Sequence, residues 1–381
     1  MSHATVGADR FVSDEERALY SSASETAPCG PRFHIPSLDG MRAVAIMLVF
    51  LSHVGLGHLV PGGLGVTIFF FLSGYLITTL LRREHMRNHA IDLKHFYLRR
   101  ILRIWPAFYL VLLVGGVLTM LQVLPGQLQL FPTLAQLLHF TNYYSILHGP
   151  QGTTVGTGVF WSLAVEEHFY LLFPAVYALL LHRGLNARDQ AVALLALCGI
   201  VLVWRWVLVT QLGASVDRTY YASDTRLDSL LFGCILAIVY NPVLDGPVAN
   251  ERRVKYWLLP SAVVVLLLSL VYRSDVFRET IRYTVQGIAL VPVFIAAITY
   301  PKWGVFRALN LKWMRFMGTL SFSFYLLHFT VIEAVSHYAG AATPRWIQAI
   351  IGFTVSFALA CVVYRFVERP LANLRRKLAA R

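Results

Sequence analysis

Apolar stretches long enough to cross a membrane recur along the chain. A helix needs about 20 mostly apolar residues to span the hydrocarbon core of a bilayer. Ten such stretches occur, at 40–58, 64–82, 104–123, 161–181, 190–211, 227–241, 256–272, 283–300, 316–337 and 346–366. The pattern therefore predicts an all-α polytopic membrane protein, a bundle of about ten transmembrane helices, in which the helix at 227–241 is short.

Basic residues are distributed unevenly between alternate connecting segments. If the N-terminus is cytoplasmic, the segments facing the cytoplasm carry 22 Lys and Arg residues and those facing outward carry 6. Cytoplasmic loops of membrane proteins are enriched in these residues. We therefore expect an even number of crossings, with both termini in the cytoplasm.

The composition supports this class and excludes others. With 57% hydrophobic and 14% charged residues, the chain is too apolar for a soluble protein of 381 residues. Its net charge of +13 is spread over several loops and forms no single basic stripe, so nucleic-acid binding is not expected. The four cysteines show no CxxC spacing, which argues against a disulfide framework and a metal site.

The polar ends of the chain divide it into three parts. Residues 1–36 mix acidic and basic residues without an apolar core, so we expect a disordered cytoplasmic tail and not a signal peptide. Residues 37–370 form the membrane domain. Residues 371–381 form a basic cytoplasmic tail that is expected to rest on anionic headgroups.

Ionisable residues inside a membrane are costly unless they are paired or line a wet cavity, so each is a candidate for function. Arg42 and His53 lie eleven residues apart in the first span, which places them within about 20° of each other on one helix face. One cavity is expected to be lined by both, with Asp39 nearby. The alternatives are a cytoplasmic anchor for Arg42 and a packing role for His53.

Three arginines, Arg99, Arg100 and Arg103, lie where the third span is expected to meet the cytoplasm. Guanidinium groups hold phosphates through paired hydrogen bonds, so this cluster suits a polyanion. Simple anchoring at the inner face is the alternative.

The fourth span begins with WSLAVEEHFY, which enters from the outer side. Adjacent positions on a helix point about 100° apart, so we expect Glu166 to face the cavity and Glu167 to lie nearer the interface. This places Glu166, like His53, in the outer half of the bundle, away from the arginine cluster.

Further polar groups lie in the sixth and ninth spans and in one outer loop. Asp224 and Arg226 form either an acceptor-binding site or a helix-capping ion pair with Asp228. His328 either lines the cavity as a substrate-binding residue or serves packing. The loop at 124–160 has no charged residue and suits either a sugar or the membrane interface; its polar and aromatic residues include His139, Asn142, Tyr143, Tyr144 and His148.

Seven segments, taken in order, resemble the landmarks of acyltransferase family 3, the bacterial membrane O-acyltransferases. They are LDGMRAVAIMLVFLSH, FFFLSGYLI, FYLRRILRIWP, WSLAVEEHFYLLFP, DTRLDSLLFG, LSFSFYLLH and RFVERP. The resemblance runs from about residue 37 to 370 and is closest to single-domain members, which lack a C-terminal hydrolase-like domain.

The resemblance implies transfer of an acyl group, with acetyl as the expected group, from cytoplasmic acyl-CoA to a hydroxyl, by a multi-pass protein of a bacterial inner (plasma) membrane. The implied acceptor is a cell-envelope sugar, an exopolysaccharide unit or another glycosylated small molecule. His53 would be the catalytic histidine and Arg42 its motif partner, while Arg99, Arg100 and Arg103, together with Arg42, would hold the CoA phosphates. No metal is implied, and the oligomeric state stays open.

Two chemical routes and two other functions remain at this point. His53 acts either as a general base, with Glu166 orienting it or stabilising its charge, or as a nucleophile that carries the acyl group. A secondary transporter would use the same buried charges for proton coupling. A receptor or scaffold would leave the Arg42 and His53 face unexplained.

Overall fold

The computed structural model describes residues 35–246, 250–340 and 342–379. Residues 1–34 of the expected N-terminal tail, and the last two residues of the basic tail, lie outside this description. All regular structure among the described residues is helical. The helices are α1 Pro36–Leu51, α2 Gly62–Asn88, α3 Leu93–Met120, α4 Leu130–Leu137, α5 Thr141–His148, α6 Trp161–His182, α7 Ala187–Thr210, α8 Val216–Tyr221, α9 Ser223–Val239, α10 Glu251–Val271, α11 Asp275–Glu279, α12 Ile281–Thr299, α13 Gly304–Leu309, α14 Lys312–Ala339, α15 Arg345–Val363 and α16 Arg369–Ala379.

Each predicted span corresponds to one long helix, namely α1, α2, α3, α6, α7, α9, α10, α12, α14 and α15. Nine of these, within the described part of the chain, are long and apolar enough to cross a membrane. The tenth, α9, has only 17 residues, but most of them are buried among other helices. The predicted all-α membrane bundle is therefore confirmed, and the sixth helix, predicted to be short, is the one shorter than these nine.

Helices α2 and α9 cross at the centre of the bundle, where both have glycine. A Cβ atom at Gly74 would lie 1.9 Å from the carbonyl oxygen of Leu230, and one at Gly233 would lie 2.0 Å from that of Phe71. Only glycine permits so short a distance between the two helix backbones. Membrane helices commonly approach each other closely through small residues. Gly74 and Gly233 therefore permit the close packing of α2 and α9.

Helices α7, α10 and α15 form the periphery. Only 28%, 17% and 22% of their most apolar windows are buried in the protein, against 72% for α2. Their exposed residues are large and apolar, for example Ile200, Val264 and Ile351. These surfaces are suited to lipid, because hydrocarbon chains solvate them as a protein core would.

Residues 121–160 fold over the end of the bundle where α1 ends and α2 begins, which we call the Leu56 side; the opposite end is the Pro36 side. The side chain of Gln136 donates to Thr157 Oγ1, and both residues are buried. Thr330 Oγ1 on α14 donates to the Val155 carbonyl at 3.1 Å. The 3₁₀ turn Thr157–Phe160, which leads into α6, has Thr157, Val159 and Phe160 buried.

The end of α1 is irregular. The backbone leaves the helical region at Val54, with ψ of 19°, and at Gly55, which lies in the left-handed region with φ of 97°. His53 lies directly before this break.

Candidate functional site

A cavity of about 100 Å³ lies between α1, α2, α3, α6 and α14. Its lining includes three guanidinium groups, from Arg42, Arg100 and Arg103, and the carboxylate of Glu166. Positive charge therefore exceeds negative charge around the space itself. A phosphate or another anion is the chemical class that such a lining favours.

Arg42 is held from its own helix. Its Nη1 donates to Asp39 Oδ1 at 2.9 Å, one turn earlier in α1. The contact orients the guanidinium toward the cavity and leaves part of its hydrogen-bonding edge for a ligand.

A second set of contacts organises the α6 wall. Tyr170 Oη donates to Glu166 Oε2 at 2.6 Å and lies 3.0 Å from Ser73 Oγ on α2. The Arg100 guanidinium lies over the Tyr170 ring, with Cζ 4.4 Å from the ring centroid. Cation–π contact and hydrogen bonding thus fix the carboxylate and the arginine on the same wall.

The depth expected for Glu166 differs from the depth observed. The sequence suggests that Glu166 lies in the outer half, apart from the arginine cluster, whereas the structure brings it into one cavity with Arg100 and Arg103. The reason is that Arg100 packs over the ring of Tyr170, one turn after Glu166 on α6, and this contact brings the guanidinium beside the carboxylate. Glu167 points to α3, where Trp105 Nε1 donates to its Oε2 at 3.3 Å.

The three arginines of α3 do not act as one cluster. Arg100 and Arg103 line the cavity, whereas Arg99 Nη2 forms an ion pair with Glu84 Oε2 of α2 at 2.9 Å. Glu84 Oε1 also accepts from the backbone N–H of Asp92 in the turn between α2 and α3. Arg99 therefore fastens that turn.

Arg375 on α16 adds to the positive region. Its charge lies near enough to those of Arg100 and Arg103 to repel them, and its Nε has no hydrogen-bond partner. The segment expected to be a basic tail thus begins as a helix that packs against α3. A local pattern of basic residues gives no signal for this packing.

Two histidines meet on the Leu56 side of the cavity. His53 Nδ1 lies 3.0 Å from His328 Nε2, and His328 Nδ1 lies 2.8 Å from the carbonyl oxygen of Tyr325. His328 is fully buried, whereas His53 is half-buried. His53 also contacts the ring of Phe329, with centroids 4.8 Å apart.

The cavity and the histidine pair are neighbours and not one lined space. The lining includes Arg42 and Tyr325 but not His53. The sequence suggests one cavity for Arg42 and His53, but although the backbone stays helical through Ser52, the His53 ring meets His328 of α14 and does not line the cavity. Tyr325 connects the two regions: its Oη lies 2.6 Å from Ser162 Oγ in the cavity, and its carbonyl contacts His328.

The structure separates the polar residues of the sixth span. Asp224 accepts from Arg218 Nη2 at 2.6 Å and from Trp204 Nε1 at 2.7 Å, and it is partly exposed. Asp228 is fully buried and binds Arg205 of α7 through both carboxylate oxygens, at 2.9 and 2.7 Å.

Arg226 occupies a third environment. Its guanidinium is fully buried over the Tyr283 ring, with Cζ 4.0 Å from the centroid, and three more rings lie within 6 Å. Its Nη2 donates to Thr67 Oγ1 at 3.1 Å, while Nε and Nη1 have no hydrogen-bond partner. The aromatic cage compensates part of this charge.

The side chains of the outer loop are largely used within the protein. Tyr144 Oη donates to the Gln151 carbonyl at 2.8 Å, and Asn142 Nδ2 donates to Ser223 Oγ at 3.1 Å. His139 stacks on Phe108, and burial, followed by the nearby charge of His168, lowers the pKa of His139 to about 4. Tyr143, whose Oη lies 3.4 Å from Asp224 Oδ1, is close to a carboxylate that remains partly exposed.

Three important residues are missed by sequence reasoning. Arg205 stands alone in the apolar run VLVWRWVLV, and that isolated charge was a usable signal. Tyr170 and Tyr325 carry no such signal, because tyrosine is common in membrane helices. Among the described residues, no group of three or more His, Cys, Asp or Glu side chains is arranged to hold a metal ion.

Comparisons with known proteins confirm the family that the sequence motifs indicate. A family model described as an acyltransferase domain matches residues 35–365. A peptidoglycan O-acetyltransferase OatA of Listeria monocytogenes is 30% identical over 358 residues, which cover 89% of this chain and 56% of that protein. An O-acetyltransferase OatA of Staphylococcus aureus is 31% identical over 355 residues, covering 90% of this chain and 57% of that protein.

A putative O-acetyltransferase of Staphylococcus aureus is 30% identical over 352 residues, covering 88% of this chain and 57% of that protein. The chain thus spans just over half the length of the curated relatives it matches. No solved structure matches the chain significantly.

Proposed function

The chain belongs to the acyltransferase family matched over residues 35–365, and from this premise we propose that it is a membrane O-acyltransferase. It moves an acyl group, acetyl in the simplest case, from cytoplasmic acyl-CoA to a hydroxyl of a cell-envelope glycan. The observation that carries the proposal is the adjacency of a cationic cavity and a half-buried histidine inside one helix bundle.

The proposed orientation has the Pro36 side in the cytoplasm of a bacterial inner membrane. The distribution of 22 basic residues on one set of loops and 6 on the other supports it. Both termini are then cytoplasmic, and the Leu56 side with residues 121–160 faces outward.

The donor is proposed to bind through its phosphates to the positive region formed by Arg42, Arg100 and Arg103. Guanidinium groups match phosphate geometry, and the lining has only one carboxylate to offset them. A cavity of about 100 Å³ admits phosphate groups and not the whole nucleotide, and the long pantetheine arm carries the thioester from it toward His53. Arg99, which is engaged by Glu84, contributes only general positive charge at the entrance.

The proposed reaction is direct transfer with His53 as general base. The acceptor oxygen attacks the thioester carbonyl while its proton passes to His53; the C–S bond breaks, and the CoA thiolate then takes that proton. Such proton transfer typically contributes about 10²- to 10⁴-fold to the rate. Glu166 serves as the carboxylate that offsets the positive charge of the cavity and of the imidazolium.

The acceptor is proposed to approach from the Leu56 side. Asp224 is partly exposed there beside Tyr143 and Trp204, and carboxylate and aromatic groups together suit a sugar. Arg226 supports this wall from within the bundle. The name of the Listeria relative, a peptidoglycan O-acetyltransferase, favours a glycan as acceptor class.

The test uses purified protein in liposomes with radiolabelled acetyl-CoA inside and glycan fragments from the envelope outside. We expect labelled ester on the glycan and an equal amount of free CoA, and a loss of about 10²-fold or more in His53→Ala. His58→Ala is the matched control, because His58 is an exposed histidine of the same segment.

Three results would change the proposal. A stable acetyl adduct on His53 in the absence of acceptor would replace direct transfer by a covalent route. Solute movement driven by a pH gradient, without CoA release, would favour a secondary transporter. Equal activity of His53→Ala and His58→Ala would remove His53 from the reaction.

A further inference from the structure

The contacts around His53 determine where its proton lies. A backbone carbonyl has no hydrogen to donate, so the 2.8 Å contact between His328 Nδ1 and the Tyr325 oxygen requires the hydrogen on His328 Nδ1. A neutral imidazole carries one N–H only. Since His328 is fully buried among apolar rings, the neutral form is the one its surroundings allow, and its Nε2 is then an acceptor.

The second contact follows from the first. His53 Nδ1 lies 3.0 Å from His328 Nε2, and one of two facing nitrogens must donate. Because His328 Nε2 accepts, His53 Nδ1 carries the hydrogen. The lone pair of neutral His53 is therefore on Nε2, the nitrogen that does not face His328.

We propose that His328 is a positioning residue, which holds His53 in the tautomer that presents Nε2 as the base. The inference rests on the proposed role of His53 and assigns to His328 a task other than lining a cavity or contacting the acceptor. When Nε2 takes the acceptor proton, the Nδ1–H of the imidazolium is already bonded to His328 Nε2. An acidic orienting group fills the same place in hydrolase triads.

The environment of the pair makes this orientation rigid. The His328 ring stacks on Phe324, with planes 10° apart, and meets the edge of Phe50. His53 is held on its other side by Phe329. The charged residue of α15 that lies close to the end of α1 is Arg345. Its Nη1 is 3.7 Å from the position that a Cβ atom would take on Gly55.

Two substitutions separate positioning from packing. His328→Gln keeps an acceptor, since its amide oxygen reaches the region of the ring Nε2, while His328→Leu removes it. We expect kcat within about tenfold of wild type for Gln and a loss of about 10²- to 10⁴-fold for Leu. The KM for acetyl-CoA should be unchanged in both, because the donor is held by the arginines. Equal losses in the two variants, or a change confined to KM, would overturn the inference.

A measurement independent of turnover completes the test. In protein labelled with ¹⁵N in histidine and held in lipid nanodiscs, imidazole nitrogen shifts distinguish N–H from bare nitrogen. Resonances absent from His53→Asn identify His53. We expect its hydrogen on Nδ1 in wild type and in His328→Gln, and a mixture of tautomers in His328→Leu.

The histidine spectrum also distinguishes a failure of the proposed function from a failure of the proposed role of His328. If wild type shows the Nδ1–H tautomer but transfers no acyl group, the proposed function fails and the positioning of His53 stands. If wild type transfers acyl groups but carries the hydrogen on Nε2, the positioning inference is wrong and the function stands.

Discussion

Two of the settings in which arginine lies inside the helix bundle contrast sharply. Arg205 on α7 and Asp228 on α9 are both fully buried, and the guanidinium binds both carboxylate oxygens and Thr284 Oγ1. The cavity instead gathers Arg42, Arg100 and Arg103 around empty space. One region is charge-balanced and closed, whereas the other retains positive charge next to a space.

The difference shows what distinguishes a structural charge from a functional one in a membrane. Every ionisable group in the hydrocarbon region carries a desolvation cost, so its presence alone does not identify a site. A complete ion pair offsets the desolvation cost within the protein. At a cavity with surplus charge, a ligand of opposite charge can offset it instead. Each prediction below alters one side of this comparison.

The largest effect is expected from breaking the buried pair. Asp228→Leu leaves the Arg205 guanidinium buried without its carboxylate, which typically destabilises a protein by about 3–5 kcal/mol. Thermal unfolding in detergent micelles should show this as a large drop in midpoint, with poor recovery of folded protein.

The double variant Arg205→Met/Asp228→Leu is the control. Removing both charges should restore most of the lost stability, because paired apolar replacements of buried ion pairs are often neutral. A double variant as unstable as the sum of the single ones would show that the two residues do not act as a pair.

A smaller effect, on binding and not on folding, is expected at the cavity. Arg103→Gln removes a charged contact to a phosphate, worth about 1.5–3 kcal/mol, so the KM for acetyl-CoA should rise about 10- to 100-fold. The unfolding midpoint should change little, because Arg103 lines a space. Steady-state kinetics and thermal unfolding on the same preparation measure both quantities.

Arg99→Gln is the matched comparison on the same helix. Arg99 pairs with Glu84 and is partly exposed, so its loss should change KM by no more than about threefold. If Arg99→Gln and Arg103→Gln raise the KM for acetyl-CoA equally, donor binding depends on the total positive charge of this region and not on the arginines that line the cavity.

The smallest effect is expected for a third arginine pair, at the edge of the membrane. Arg82 donates to both oxygens of Asp245, at 3.0 and 2.9 Å, and Asp245 is 29% exposed. Partial burial disfavours the charged carboxylate, but the hydrogen bonds from Arg82 and the Asn241 backbone outweigh it and hold the pKa of Asp245 below its usual range.

A lowered carboxyl pKa stabilises the folded state at neutral pH. The contribution is complete above the ordinary aspartate pKa of about 3.9 and is lost as pH falls through the lower folded-state value. Such a pair is worth at most about 1 kcal/mol. Asp245→Asn should therefore lower the unfolding midpoint slightly at pH 7, and the difference from wild type should shrink at pH 3; a difference that does not vary with pH would contradict this account.

The positions of the ten long helices and the presence of candidate charges were predictable from the chain alone. Transfer of an apolar stretch into lipid depends on its own residues, so spans such as 64–82 and 316–337 need no knowledge of their neighbours. The motifs around Arg42, Arg100 and Glu166 likewise indicated the family that the comparisons confirm.

Which group each charge meets was decided by the tertiary structure. His53 contacts His328, 275 residues away; Arg205, which the motifs do not mark, neutralises Asp228; and Arg99 turns from the cavity to Glu84. The physical reason is the difference in the distance along the chain over which the two effects are determined. Partition into a bilayer is a property of a local segment, whereas compensation of a charge requires a partner within a few ångströms, and only the packing of distant helices brings that partner there.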